Sequence, residues 1–136
     1  MILQQLLVEQ DPSGWRMLVG CILLNQTSRQ QVDDVYPKLF EMWPNAPALR
    51  FASHPHLFDV IRPLGLQNRR AITLTSFSTW WATRSPAVEE DSMLEMDPPG
   101  IGEYARDSWV IFKLGLVPGW EVRDKELRKH LGLSPP

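Results

Sequence analysis

Thiols are almost missing from this sequence: one cysteine, Cys21, stands among 136 residues. That excludes an intramolecular disulfide. With only three histidines, it also leaves too few ligands for a zinc or iron–sulfur centre, so no metal site is expected. Cys21 lies in an apolar run and is expected to be a buried, inert thiol. Long apolar runs are missing too. None approaches the roughly 20 residues that span a bilayer, so no membrane partner is expected. The opening MILQQLLVEQDP has neither the basic stretch nor the small-residue cleavage site of a secretory leader. The expected location is therefore cytoplasmic or nucleoid, and nuclear in a eukaryote. Strand-like alternation, low-complexity tracts, fixed-period repeats and linker-like stretches are also absent. So is an excess of positive charge: 14 Lys and Arg face 16 Asp and Glu, a net charge of −2. Neutralising phosphates releases counterions and favours basic proteins on nucleic acid, so this balance weighs against such a partner. Its distribution weighs less. Arg69 and Arg70 are adjacent, and Arg123, Lys125, Arg128 and Lys129 cluster near the end, while acids collect at Asp33–Asp34 and Glu89–Glu90–Asp91.

What is present is apolar and aromatic. The 43% hydrophobic content, with six Trp and five Phe, can build the core of one compact domain over residues 1–136. Helical periodicity dominates. Trp15, Leu18, Val19, Ile22 and Leu23 form one core-facing stripe, opened by Asp11-Pro12-Ser13. Val32, Val35, Tyr36, Leu39, Phe40 and Trp43 form a second, with Thr27 or Ser28 as cap and Pro44 as stop. Further helices are expected from about His56 to Arg62, from Gln67 to Thr83, and from Glu103 to Leu114, with a turn or two near Val88–Met96 and a last helix starting near Arg123 or Asp124. The 12 prolines fall mostly between these stripes. The fold class is all-α.

The densest local signal is Pro99-Gly100-Ile101-Gly102, a tight turn opening a helix. Its backbone N–H groups, with the helix dipole behind them, can hold an anion without a lysine. An ordinary helix–helix turn explains the same tetrapeptide. Asp124 opens Asp124-Lys125-Glu126-Leu127-Arg128, the place of an N-cap.

Wider context narrows these readings. Pro99-Gly100-Ile101-Gly102-Glu103-Tyr104-Ala105 is followed by an apolar helix, and Asp124 comes 22 residues after Gly102. Upstream stand Ile22-Leu23-Leu24-Asn25-Gln26-Thr27-Ser28 and Pro63-Leu64-Gly65-Leu66-Gln67-Asn68-Arg69-Arg70-Ala71. The three motifs, in this order from about Ile2 to Leu131, resemble the helix-hairpin-helix (HhH-GPD) superfamily of base-excision DNA glycosylases. The likeness is strongest toward its methyl-CpG-binding thymine glycosylase branch, including Asp11-Pro12, Asp107-Ser108 and Asp124-x-x-Leu127.

That resemblance implies a two-lobed helical fold with a cleft between the lobes, and double-stranded DNA carrying a mispaired or damaged base as the partner of a monomer. It implies that Asp124 stabilises the oxocarbenium-like sugar as the glycosidic bond breaks. Gly100, Ile101 and Gly102 would clamp a DNA phosphate, Tyr104 and Gln5 would line the base pocket, and Gln26 and Leu66 would wedge the duplex. Core packing for Tyr104 and Leu66, and a solvated loop for Gln26, are the plainer alternatives. Bifunctional members carry a lysine two positions after the second glycine; Tyr104 stands there, and a phenol is no amine nucleophile. The implied enzyme is therefore monofunctional, acting on thymine or uracil opposite guanine, without an iron–sulfur cluster and with room for a monovalent cation at the hairpin. Adenine removal from mismatches and an inert DNA-binding module are the competing readings. Two departures bear on the substrate: Glu126 replaces a basic residue, and Gln26 replaces a wedge arginine.

Overall fold

A computed structural model describes residues 1–85 and 92–135. Every regular element in those residues is helical. The helices are α1 (Leu3–Gln10), α2 (Trp15–Leu24), α3 (Arg29–Asp33), α4 (Tyr36–Met42), α5 (Ala46–Leu49), α6 (His54–Ile61), α7 (Gln67–Thr83), α8 (Glu103–Ser108) and α9 (Lys125–His130), with 3-10 turns at Arg62–Leu64 and Met93–Met96 and a π turn at Trp109–Lys113. None is long and apolar enough to cross a membrane.

Side-chain acceptors fix several of the starts. Asp11 accepts from Ser13 N at 3.2 Å and from Arg16 N at 2.9 Å, satisfying donors at the head of α2 that have no helical partner. Ser28 and Gln31 close a reciprocal capping box on α3, and Asn45 and Ser53 cap α5 and α6. The expected single helix through Val32–Trp43 is in fact two. Pro37 has no N–H, and its ring would collide with the carbonyl of Asp33, so the helix stops and restarts with Pro37 in its first turn. The helix expected over Glu103–Leu114 is also divided. After Ser108 the backbone widens into the π turn, marked by Leu114 N bonding to Trp109 O at 3.0 Å. The turn sends Trp109 into the main core, against Trp81, and Ile111 into a second one. The segment expected near Val88–Met96 is a 3-10 turn over Met93–Met96; Val88–Asp91, with the acidic cluster Glu89–Glu90–Asp91, lies outside the described residues. Helices α1 and α5 were not expected from the sequence. The long α7 has the bounds its apolar stripe predicts.

The core is built round α2. Eight of its ten residues are buried, and it touches α1, α3, α7 and α8. Helix α7 carries the contact onward to α5 and α6, while Trp15 meets Phe40 edge-on at 5.6 Å. A smaller cluster of Ile111, Val122 and Leu127, with Ile2, Tyr104 and Phe112 against it, seats α9. Gly20 allows α1 its close approach: a Cβ there would lie 2.6 Å from Leu7 Cδ1. Gly20→Val is expected to push α1 away and to lower stability by about 1–3 kcal/mol, measured by urea denaturation; an unchanged midpoint would show that α1 is not held at this crossing.

Candidate active site

A cleft of about 1290 Å³ opens where α1, α2, α7, α8 and α9 come together. It exceeds the roughly 300–1,000 Å³ of an ordinary small-molecule pocket, the size of a groove that receives part of a larger chain. Its residues come from five separate stretches of sequence.

Two protruding loops form the rim. The chain leaves α2 through Asn25 and Gln26, and it enters α7 through Gly65 and Leu66. Gln26 has φ 62° and Leu66 φ 50°, the left-handed region that costs an L-residue roughly 1–2 kcal/mol. Of the described residues other than glycine, only Asp97 shares it. Strain of this kind persists where surrounding structure holds it. Both side chains are exposed and both line the cleft; Leu66, at 53% exposure, is no core leucine.

Behind the rim is a polar floor. The Gln4 amide donates to the Tyr104 hydroxyl oxygen at 2.5 Å and to Ser108 Oγ at 3.2 Å. Ser108 in turn donates to the Tyr104 carbonyl at 2.8 Å. With its oxygen already accepting from Gln4, the Tyr104 phenol keeps its own proton to donate into the cleft. Burial raises its pKa above the ordinary phenol value, and the Asp124 and Glu126 carboxylates add to that, against the opposing effect of Gln4. The phenol stays protonated through neutral pH. Gln5 corrects an expectation: it is exposed and does not line the cleft, whereas Gln4 is 1% exposed and does. On α1 the inward residues are Leu3, Gln4 and Leu7, and one residue further rotates a side chain about 100° round the helix.

Cys21 also borders the cleft, and its thiol is pushed up to about 12, chiefly by burial. Only the thiolate is a competent nucleophile, so this sulfur is inert.

Asp124 borders the same cleft at the head of α9. It is half-buried, and its Oδ2 accepts from Leu127 N at 2.9 Å, so it does cap α9. It shares the cleft lining with Tyr104, Gly100, Gly102, Gln26 and Leu66. In the hairpin, Gly100 is required by its φ of 77° and because a Cβ would collide with Thr73 Cγ2. A Cβ at Gly102 would stand in open space, and no side chain caps α8, so the first-turn amides are accessible to a ligand's backbone. Ile101 has a different place from the one expected: its N–H bonds Pro98 O at 3.3 Å and its side chain is 5% exposed in the main core. It anchors the hairpin and contributes nothing to the cleft surface. Glu103 begins α8 and is met by Arg123 at 3.3 Å, which offsets a negative charge at this mouth.

Three residues here had no role assigned from the sequence. Gln4 required recognition of α1. Asp107 is 1% exposed and accepts from Trp120 Nε1 at 2.6 Å, tying α8 to the loop before α9; burial raises its pKa, with the Trp120 bond opposing. Arg70 is 6% exposed, whereas the sequence shows it only as one of two adjacent arginines within the Pro63–Ala71 motif. A signal existed: Arg70 falls in the stripe Arg70, Ala71, Leu74, Phe77, Ser78, Trp81, a charge on an apolar face.

A small helical domain with a glycine hairpin, a carboxylate capping the helix beyond it, and both on one cleft defines a class, the two-lobed helix-hairpin-helix fold. Comparison with known proteins makes the assignment specific. The model of HhH-GPD superfamily base excision DNA repair proteins matches residues 19–130, and the chain belongs to this superfamily. A methyl-CpG-binding domain protein 4-like protein of Arabidopsis thaliana is 32% identical over 102 residues, 75% of this chain and 21% of that protein. A thymine-DNA glycosylase of Aeropyrum pernix is 34% identical over 98 residues (69% and 42%), and a thymine/uracil-DNA glycosylase of Pyrobaculum aerophilum is 30% identical over 108 (77% and 45%). The chain thus spans less than half the length of these relatives. Among solved structures, a thermostable thymine-DNA glycosylase superposes with TM-score 0.65 at 24% identity over 78% of this chain and 48% of that one. Endonuclease III in a non-covalent DNA complex gives 0.65 at 21%, over 93% and 59%. Both share the fold.

Two outcomes follow from the site's local chemistry. Asp124→Ala removes the α9 cap and is expected to cost about 1 kcal/mol, while Asp124→Asn keeps an acceptor and is expected to cost far less; thermal unfolding of both separates them, and equal losses would refute the cap. Cys21 is expected to resist iodoacetamide at about pH 8 in the native protein and to react on denaturation. Rapid native labelling would show that the thiol is neither buried nor protonated.

Proposed function

We propose that the chain is a monofunctional DNA glycosylase that hydrolyses the N-glycosidic bond of a thymine or uracil mispaired with guanine. The observation that carries this reading is the convergence of Asp124, Tyr104 and the Gly100–Gly102 hairpin on one cleft, with a tyrosine where a lysine would supply an amine nucleophile. The relatives named as thymine and thymine/uracil glycosylases support the choice of base.

In this mechanism the target nucleotide leaves the stack, at least cost when it is mispaired. Gln26 and Leu66 fill the space it vacates, as side chains on strained loop tips are placed to do. The hairpin amides at the head of α8 hold a backbone phosphate, which needs no net positive charge on the chain. The extruded pyrimidine enters the cleft against the hydrogen-bonded Gln4–Tyr104 pair, where the phenol proton is offered to a carbonyl oxygen of the base. As the bond to C1′ breaks, the base departs with the electron pair and positive charge develops on the sugar. Asp124 faces that charge: Oδ2 is occupied by Leu127 N–H, and Oδ1 is the oxygen assigned to the sugar. Water then adds to C1′ and its proton passes to the departed base anion, leaving an abasic site and the neutral free base. The position two after Gly102 carries the Tyr104 phenol and no amine, so no Schiff base forms there and the strand is left intact.

The test is a panel of duplexes, each with one mispaired or damaged base, treated with protein and then alkali. Strand scission at G·T and G·U is expected, lost by on the order of 1,000-fold in Asp124→Asn. Full activity in Asp124→Asn would overturn the role given to this carboxylate, and tight binding with no scission on any duplex would make the chain an inert DNA-binding module. Borohydride is expected to trap no covalent complex; an adduct would sink the monofunctional assignment.

A further inference from the structure

One buried charge in the cleft has no part in the reaction just described. Arg70, in the first turn of α7, is 6% exposed. Its Nε donates to Gly65 O at 3.0 Å, and its Nη2 to Asn25 O at 2.8 Å. Its Nη1 is shared between Leu23 O at 3.2 Å and Ile22 O at 3.4 Å. Among the described residues no carboxylate pairs with it. All its acceptors are backbone carbonyls.

The position of those carbonyls gives the arrangement its meaning. Ile22 and Leu23 belong to the last turn of α2, where the helix dipole favours a cation; their carbonyls also accept from Asn25 N at 3.3 Å and from Thr27 Oγ1 at 2.5 Å. Asn25 immediately precedes Gln26, and Gly65 immediately precedes Leu66. A single planar guanidinium is therefore bonded to both rim loops, each beside its left-handed, exposed residue. Capping α2 alone would need only a point charge, which a lysine supplies. Bonding two loops at once uses the separated, fixed donors that only the guanidinium fork has.

We propose that Arg70 is a positioning residue that locks the Gln26 and Leu66 loops at one spacing, so that the two side chains enter a duplex as a single rigid wedge. The inference rests on the glycosylase reading for its substrate, but its test does not require the bond to be cut. The probe is a G·T duplex with 2-aminopurine beside the mismatch, whose fluorescence rises when the neighbouring base leaves the stack. Excision is followed in parallel under single turnover, and affinity by anisotropy. Arg70→Lys keeps the charge and loses the fork. It is expected to abolish most of the fluorescence rise and to slow excision by on the order of 100-fold, as misplacement of about 1 Å does. Affinity should be unchanged, because Arg70 is 6% exposed and its donors are taken up by backbone carbonyls. In a Gln26→Ala/Leu66→Ala background, Arg70→Lys should cause no further loss.

An equal loss in that background, or a fall in affinity with the fluorescence rise intact, would overturn the proposal. A wild-type chain that raises the fluorescence but never excises would sink the glycosylase reading and leave the wedge standing. One that does not raise it overturns the wedge itself. Should Arg70→Lys fail to fold, Gln26→Ala and Leu66→Ala with Arg70 intact decide the matter. Losses that couple are expected of one rigid unit, and strictly additive losses refute it.

Discussion

The constraint on which the rest depends is the burial of α2. A helix apolar on nearly all sides must be surrounded, and α1, α3, α7 and α8 all touch it. Its ten residues run about 15 Å, from the Asp11 cap to the cleft, and its far end must surface there with carbonyls that need donors. Arg70 supplies some of them from α7, and Asn25 and Thr27 supply others from the loop itself. The same burial explains the floor of the cleft. Because Gly20 lets α1 lie close, Gln4 is carried to within a hydrogen bond of Tyr104. Core packing and site geometry are thus one problem in this chain, solved by the same helix.

Much of this was legible in the sequence, for reasons that can be named. The fold class followed from 3.6-residue periodicity, and α7 was read to the residue because its apolar stripe runs through seventeen residues. Asp124, Tyr104, Gly100, Gly102, Gln26 and Leu66 are separated by up to about a hundred positions, yet line one cleft. No periodicity places them together; only the order of three motifs does. Where the reading failed, a local feature had been overruled. Pro37 breaks what looks like a continuous stripe, because a missing N–H outweighs apolar spacing. The π turn is invisible to a period of 3.6, since it is a departure from it. Helix α1 was hidden by its glutamines, and with it the distinction between Gln4 and Gln5.

The polar groups of the site share a pattern. Gln4 serves Tyr104 and Ser108, Trp120 serves Asp107, and Arg70 serves four carbonyls. Gln4, Asp107 and Arg70 are buried and each has its partners, as a low-dielectric interior requires. Such networks fix direction more than they add stability, and direction is what a cleft lined by loops most lacks. They explain how a chain with net charge −2 can present an organised surface without relying on a basic face.

The cap made by Asp124 also bears on how this position can drift over generations. A helix start is served almost equally by serine, threonine, asparagine or aspartate, so folding by itself would let all four circulate at position 124. Only chemistry that needs a full negative charge would hold the position to one of them. Where the superfamily keeps aspartate there, the preference measures selection on reaction separately from selection on stability, at a single side chain that answers to both.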